Sequence, residues 1–154
     1  MDALAYAFKL LGYRPRSSRE LQLRLKAKGY EAEDIEKAMA RLLELGYIDD
    51  HTLAVSLADQ ASRLKTLGRM GARRFLGIRG IGRDHVEEAL SDYDELEAAG
   101  RLVMRKLPTL FGLDRRAAMG RISGYLGRRG FSHQTIRTWL NRLTQTEGSD
   151  EWEA

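Results

Sequence analysis

The fold is decided by the stretch LKAKGYEAEDIEKAM at residues 25–39, whose outline recurs as LGIRGIGRDHVEEAL at residues 76–90 and LGRRGFSHQTIRTWL at residues 126–140. Each copy opens on a leucine, has a glycine and then an apolar residue after three intervening positions, and continues with two apolar residues four apart. The copies are offset by 51 and 50 residues. One match to so permissive a pattern would mean little, but three copies in register indicate an internal repeat.

The repeated glycine predicts where one helix ends and the next begins. Glycine is favoured just past a helix C-terminus, where the backbone turns left-handed at little cost for a residue without a Cβ. The apolar residue that follows can fold back onto the helix just ended. The apolar pair spaced by four then begins the buried stripe of a second helix. Each copy therefore predicts a helix, a tight turn and a helix.

A leading helix completes each unit. In the first unit it covers about residues 2–12, and Ser17 with Glu20 then forms the sequence of a capping box that starts the second helix. Aspartates are the predicted N-caps elsewhere, namely Asp49 or Asp50 and Asp114, and the third unit is predicted to start near Asp94. The sequence predicts an all-α protein of three tandem three-helix repeats at residues 1–49, 50–92 and 93–146, with a frayed acidic tail at 147–154.

Several classes of function have little support in the sequence. The 154-residue chain has no cysteine, which removes disulfides, thiolate metal sites and cysteine nucleophiles. It shows no leader peptide and no apolar run of the length a membrane span needs. His51, His85 and His133 form no ligand pair at helical spacing, and no nucleophile motif is present. We therefore predict no metal, no cofactor and no catalytic site.

One short motif invites a nucleic-acid interpretation. Residues 77–80, Gly-Ile-Arg-Gly, are similar to the phosphate-clamping GxxG loop of a KH domain. That loop requires a neighbouring sheet, and the surrounding sequence has little strand character. Gly80 is also already explained as the repeated helix stop, so we favour the helical interpretation.

Two long stretches carry basic charge only, although the net charge is just +4. Residues 60–83 contain seven Lys or Arg and no acid, and residues 115–146 contain seven Arg and no acid. Such stretches suit a polyanion or an acidic protein surface, or else form the solvated faces of helices. The candidate contact residues are Lys65, Arg69, Arg73, Arg74, Phe75, Arg79 and Arg83 in the first stretch, and Arg115, Arg116, Arg128 and Arg129 in the second.

Three motifs together resemble the RecX family of recombinase regulators. They are Ser-Ser-Arg-Glu-Leu at residues 17–21, Leu-Lys-Ala-Lys-Gly-Tyr at 25–30 and Leu-Gly-Tyr-Ile-Asp-Asp at 45–50. The similarity extends over about residues 3–143. The sequence departs from the family pattern at Leu53, where phenylalanine is usual, and at Ala72 and Phe75, where isoleucine and glutamate are usual.

The resemblance implies a curved, elongated array and a regulatory role without catalysis. RecX proteins bind the RecA recombinase filament on single-stranded DNA and restrain its extension, strand exchange and co-protease activity. This implies a cytoplasmic, monomeric protein that needs no cofactor and no membrane, acts in DNA repair, recombination and the SOS response, and has at most weak direct binding to DNA.

Two other functions stay open at this point. Three-helix units with a glycine turn can be helix-turn-helix modules that bind duplex DNA directly. Gln134 and Arg137 on the last predicted helix are the candidate base-reading residues for that function. A scaffold repeat with no effect on recombinase is the third alternative.

Overall fold

A computed structural model describes residues 1–145, and in this range the chain is helical throughout, without strands. The predicted all-α fold is confirmed, and the KH alternative, which needs a sheet, is wrong. The predicted acidic tail at 147–154 lies outside the described residues. The elements are α1 (Ala3–Tyr13), α2 (Ser18–Lys28), α3 (Ala32–Glu44), α4 (Asp50–Arg63), α5 (Arg69–Ile78), α6 (Arg83–Ala89), α7 (Glu95–Lys106), a 3₁₀ turn (Leu107–Leu110), α8 (Arg115–Arg128) and α9 (His133–Gln145).

The three predicted helix stops share one backbone geometry. Gly29, Gly80 and Gly130 have φ angles of 104°, 85° and 81°, in the left-handed region. In each copy the next residue donates its N–H to the carbonyl of the leucine that opens the copy, at 3.3, 3.1 and 3.1 Å. Those leucines are completely buried. The repeat seen in the sequence is therefore also a repeat of backbone hydrogen bonds.

The chain forms two compact units, of which the first contains residues 1–57 and 75–89. Its helices α1, α2 and α3 pack against one another in every pair. Leu21, Leu25 and Leu42 are fully buried in this core, whereas Leu23 is 57% exposed. The alternating leucines of α2 thus follow a helical and not a strand pattern, because residues 21 and 25 share a face and residue 23 does not.

Two adjacent aspartates of the first unit cap two different helices. Asp49 precedes α4 and accepts the N–H of Thr52 at 3.0 Å, as an N-cap does. Asp50 accepts the N–H of Ser18, the first residue of α2, at 2.9 Å. Ser17 caps the same helix by accepting the N–H of Glu20 at 3.1 Å. The N-cap predicted in the Asp-Asp pair is confirmed.

Among the described residues, the second unit contains 58–74 and 90–145. Here α7, α8 and α9 pack pairwise around Leu102, Ile122 and Leu126. Asp114 is the predicted N-cap of α8 and accepts an N–H group at 2.7 Å. Asp94, near which the third unit was predicted to start, caps α7 by accepting an N–H group at 3.0 Å. The predicted repeat boundaries at 49/50 and 92/93 remain a prediction, since α4 and α5 each contribute residues to both compact units.

Pro108 and Gly100 shape the long helix of this unit. The α-helix stops at Lys106, and Pro108 lies in the 3₁₀ turn that follows. Gly100 is buried against Trp139, where a Cβ would lie 2.6 Å from Cζ2 of the indole. Trp139 also donates its Nε1–H to the carbonyl of Leu96 at 2.9 Å. The side chain of Trp139, which was predicted to lie in the core, is thus half-buried, and its indole N–H is hydrogen-bonded.

Within residues 1–145, every helix is too short or too polar to cross a membrane.

Candidate partner interface

Glu95 holds the N-termini of two helices in the second unit. It is the first residue of α7, and its carboxylate accepts the N–H of Arg69 at 2.9 Å, which is the first residue of α5. The same carboxylate accepts the N–H and hydroxyl of Ser132 at 3.2 and 2.8 Å, just before α9, and the Thr135 hydroxyl at 2.5 Å. Burial alone would raise the pKa of Glu95, but the hydrogen bonds from Thr135, Arg69 and Ser132 hold it below its ordinary value.

This contact repeats a geometry of the first unit. Asp50 and Glu95 are each the first residue of a leading helix, and each accepts the N–H of the first residue of an earlier helix. In both places the preceding aspartate caps the leading helix itself. The acidic pair at residues 49–50 therefore satisfies two helix N-termini and the pair at 94–95 satisfies three, in places where unpaired N–H groups and the helix dipole favour a carboxylate.

Arg69, a predicted contact residue, is occupied within the protein. Its guanidinium donates to the carbonyls of Leu90 at 2.5 Å and Tyr93 at 3.2 Å, so it holds the connection between α6 and α7. The hydroxyl of Tyr93 in turn donates to the carbonyl of Leu67 at 2.7 Å. Burial raises the pKa of this phenol to about 12.

Arg129, another predicted contact residue, holds the loop between α4 and α5. Its guanidinium donates to the carbonyl of Lys65 at 2.5 Å and to the hydroxyl of Thr66 at 3.2 Å. Thr66 is buried and has a positive φ of 47°, an uncommon conformation for a β-branched residue. Arg105 also donates to the Thr66 hydroxyl, at 2.9 Å. Two arginines thus stabilise this strained loop.

Arg73 and Arg74 lie exposed on α5, and Phe75 beside them is half-buried. Lys65 is exposed just before α5 begins. Because the N-terminus of α5 is held by Glu95 and its first side chain by backbone carbonyls, Arg73 and Arg74 are carried on a well-fixed helix. Their predicted position on an accessible face agrees with the structure, while a role in binding stays a prediction.

Two further predicted residues stand where helix stability does not favour them. Arg115 and Arg116 are exposed in the first turn of α8, which has no acidic residue. Cations near a helix N-terminus oppose the helix dipole by about 0.3–1 kcal/mol each. Arg115 offsets part of this unfavourable free energy by donating a hydrogen bond to the carbonyl of Thr144 near the end of α9. Arg116 is exposed, and a role for it in binding an anion stays a prediction.

One face of α8 joins Arg128, a predicted contact residue, to basic, aromatic and small residues that were not predicted. Arg121, Tyr125 and Arg128 line a shallow depression of about 370 Å³, whose remaining wall is formed by Ala117, Gly120 and Gly124. The Tyr125 ring lies 4.9 Å from Nζ of Lys106 and 5.4 Å from Cζ of Arg128, both cation–π distances. These residues recur every three or four positions, a spacing that could have revealed the face from the sequence.

Two further predicted contact residues, Arg79 and Arg83, lie in the first unit. Arg83 is exposed at the first position of α6. Arg79 is half-buried, its carbonyl accepts the Ser17 hydroxyl at 2.8 Å, and its guanidinium reaches the carbonyl of Pro15 at 3.4 Å. Burial, and then the like charge of Arg14, lowers the pKa of Arg79. Gln134 and Arg137, the candidate readers of duplex DNA, are both exposed on α9 of the second unit.

Arg14 and Arg16 of the first unit share one carboxylate, that of Glu20. Arg16 contacts it at 2.7 Å, and Arg14 donates to its second oxygen at 3.1 Å. Burial would raise the pKa of Glu20, but the hydrogen bonds and charges of Arg14 and Arg16 hold it below its ordinary value. In the predicted capping box this side chain would turn back to the N–H of Ser17; its pairing with two arginines is a correction to that expectation.

Comparison with known proteins identifies the family. The model of the RecX first three-helix domain matches residues 3–42, and that of the RecX third three-helix domain matches residues 92–140. Regulatory protein RecX of Pelodictyon phaeoclathratiforme is 33% identical over 97% of this chain and 92% of its own length. Regulatory protein RecX of Streptomyces coelicolor is 30% identical over 97% and 81%.

A solved structure agrees at the level of the fold. The crystal structure of RecX from Lactobacillus salivarius superposes with a TM-score of 0.80 and covers 94% of this chain and 96% of its own, at 22% sequence identity. Family models, relatives of nearly full length and the helical repeat lead to the same conclusion: this chain belongs to the RecX family of regulatory proteins.

Proposed function

We propose that this protein binds the RecA recombinase filament on single-stranded DNA and inhibits its extension, strand exchange and co-protease activity. The proposal rests on membership of a family whose relatives carry the name regulatory protein RecX. The observation that supports it in this chain is the set of arginines exposed on α5 and α8, whose charges suit DNA phosphates or an acidic recombinase surface.

The exposed members of the predicted set are the contact residues we propose. They are Lys65, Arg73, Arg74, Arg83, Arg115, Arg116 and Arg128, to which the structure adds Arg121 and Tyr125. Arg69 and Arg129 act differently in this proposal, because their guanidinium groups hold internal loops and leave the contact to their neighbours. Arg79 and Phe75, both half-buried, belong to the edge of the contact.

The same proposal includes how the protein works. It acts by occupying a surface, as a monomer and without catalysis, in the compartment of its recombinase partner, the cytoplasm. A filament presents both protein and single-stranded DNA, so charge-assisted contacts with phosphate and stacking on Tyr125 can act together. Its role in DNA repair, recombination and the SOS response follows from control of that filament.

The experiment is DNA-dependent ATP hydrolysis by a cognate RecA with this protein titrated in. The wild-type protein is expected to inhibit hydrolysis at or below equal amounts. R73A/R74A should raise the half-inhibitory concentration about tenfold, the combined effect of two charge contacts at about 0.7 kcal/mol each. The matched control is K37A/R41A, which removes two exposed cations from α3, outside both basic stretches.

The salt dependence tests the chemistry of the contact. If both arginines meet phosphates, R73A/R74A should flatten the log–log salt slope of filament binding by about 1.4, that is about 0.7 for each lost contact on a single strand. Equal inhibition by R73A/R74A and wild type at physiological salt would refute this assignment. Wild-type protein that leaves hydrolysis unchanged would refute the function.

Direct DNA binding is the competing function, supported by the exposure of Gln134 and Arg137 on α9. A gel shift on duplex DNA without recombinase separates the two. Tight, sequence-selective binding that Q134A/R137A abolishes would favour a helix-turn-helix regulator. Weak, non-selective binding is what the recombinase function predicts.

A further inference from the structure

In the first unit, His51 comes close to His85 and Glu88, which are distant from it in the sequence. His51 lies in the first turn of α4, and His85 and Glu88 lie on α6. Nδ1 of His51 is 3.7 Å from Oε1 of Glu88, and the two imidazole ring centroids are 6.1 Å apart. One potential ligand atom from each of the three side chains lies within 4.8 Å of the other two.

These distances are close to those of a transition-metal site. Zinc binds imidazole nitrogens at 2.0–2.1 Å and carboxylate oxygens at a similar distance, so two ligands of a tetrahedral ion are about 3.3 Å apart. The His51–Glu88 pair is already near that value, and the remaining gap of the trio requires only rotation of side chains. His85 and Glu88 are three residues apart and so share one face of α6.

His85 supplies a second observation. Its Nδ1 is buried and has no hydrogen-bond partner among the described residues. A buried nitrogen without a partner is unfavourable, because it has lost its hydrogen bonds to water. Coordination of a cation by Nδ1 would give this nitrogen the partner that it lacks. The usual surface ion pair of a histidine and a glutamate explains His51 and Glu88 but leaves His85 unexplained.

We propose that His51, His85 and Glu88 form a binding site for Zn²⁺. The donor set of two imidazoles and one carboxylate is typical of zinc sites that keep a fourth, open position. His51 and Glu88 are exposed and His85 is half-buried, so the ion would sit at the surface and exchange with solvent. By joining the start of α4 to α6, it would tie together parts of the first unit that lie 34 residues apart in sequence. The proposal is independent of the partner of the basic surface.

The test is isothermal titration of Zn²⁺ into the full chain, purified without a polyhistidine tag. We expect one ion per chain. Saturation at 100 times the dissociation constant should raise the melting temperature by at least about 5 °C. Replacing one ligand, in H51A or E88Q, should weaken zinc binding at least about tenfold. Because both residues are exposed, these variants should fold normally, which circular dichroism would verify.

Two matched variants control for charge and for histidine itself. E87Q makes the same change of charge on the same helix, and H133A removes the one histidine outside the trio. Both should bind Zn²⁺ like the wild type. Failure of the wild-type chain to bind at 1 mM zinc (about a thousandfold above a micromolar site) would overturn the proposal. So would H51A and E88Q binding as tightly as E87Q.

Discussion

A glycine-to-alanine exchange on α5 should have opposite effects at the two ends of this one helix. Gly71 lies in the first turn, where a Cβ would fall inside 3.0 Å of the Arg129 carbonyl oxygen and 3.2 Å from its carbonyl carbon. The N–H of Gly68 donates to the same oxygen at 2.9 Å. Gly77, near the end of the helix, has nothing within 4 Å of the equivalent position.

The magnitudes follow from these two environments. Alanine is better than glycine within a helix by about 0.5–1 kcal/mol, and G77A should gain that amount. At Gly71 the same gain is opposed by overpacking, which typically costs about 1–3 kcal/mol. The upper part of that range applies, because the colliding atoms belong to backbone and cannot rotate away. G71A should therefore lose about 2 kcal/mol net, equivalent to a fall in melting temperature of about 4–8 °C.

Urea unfolding followed by circular dichroism at 222 nm measures both effects on one scale. The pair controls for composition, since each variant adds one methyl group to the same helix. G71A should shift the midpoint down and G77A should shift it up, with little change of the m-value. A G71A protein as stable as the wild type would refute the close contact between the start of α5 and the turn between α8 and α9 of the second unit.

The remaining predictions concern two capping groups. E95Q should lower the free energy of unfolding by about 1–2 kcal/mol at pH 7, because it weakens charge-assisted hydrogen bonds to the starts of α5 and α9. The folded pKa of Glu95 lies below its ordinary value, so this stabilisation is complete above pH 4.5 and is lost as the pH falls through the folded pKa. The free energies of unfolding of wild type and E95Q should therefore converge in acid. A constant difference between them from pH 7 to pH 3 would contradict the prediction. S17A should cost about 2–3 kcal/mol in chemical denaturation, because the buried Ser17 hydroxyl both caps α2 and donates to the carbonyl of Arg79. The control is S56A, which removes an exposed serine hydroxyl from α4 and should change the free energy of unfolding by less than about 0.5 kcal/mol. Equal effects of S17A and S56A would argue against the buried hydrogen bond of Ser17.

The proposed contact residues could be predicted only in part from the sequence, and Arg69 and Arg116 show why. Both stand in the first turn of a helix, within stretches of unbroken positive charge. In sequence they are equivalent candidates for binding an anion. The structure separates them, because Arg69 has two backbone carbonyls in reach and Arg116 is exposed. Charge is a property of the residue type, whereas its availability depends on where distant backbone carbonyls come to lie.

By itself, the sequence determined the helices, their caps and the threefold repeat of this protein. These features depend on neighbours within about five residues, such as Gly29, Gly80 and Gly130 with the leucines that precede them. Only the tertiary structure decided what Glu95 does and that His51 comes close to His85. Those contacts join residues 26 to 40 positions apart, and local sequence patterns do not predict which residues so far apart come into contact. Packing alone brings those groups together, and it therefore determines which polar residues are held inside the protein and which are left exposed.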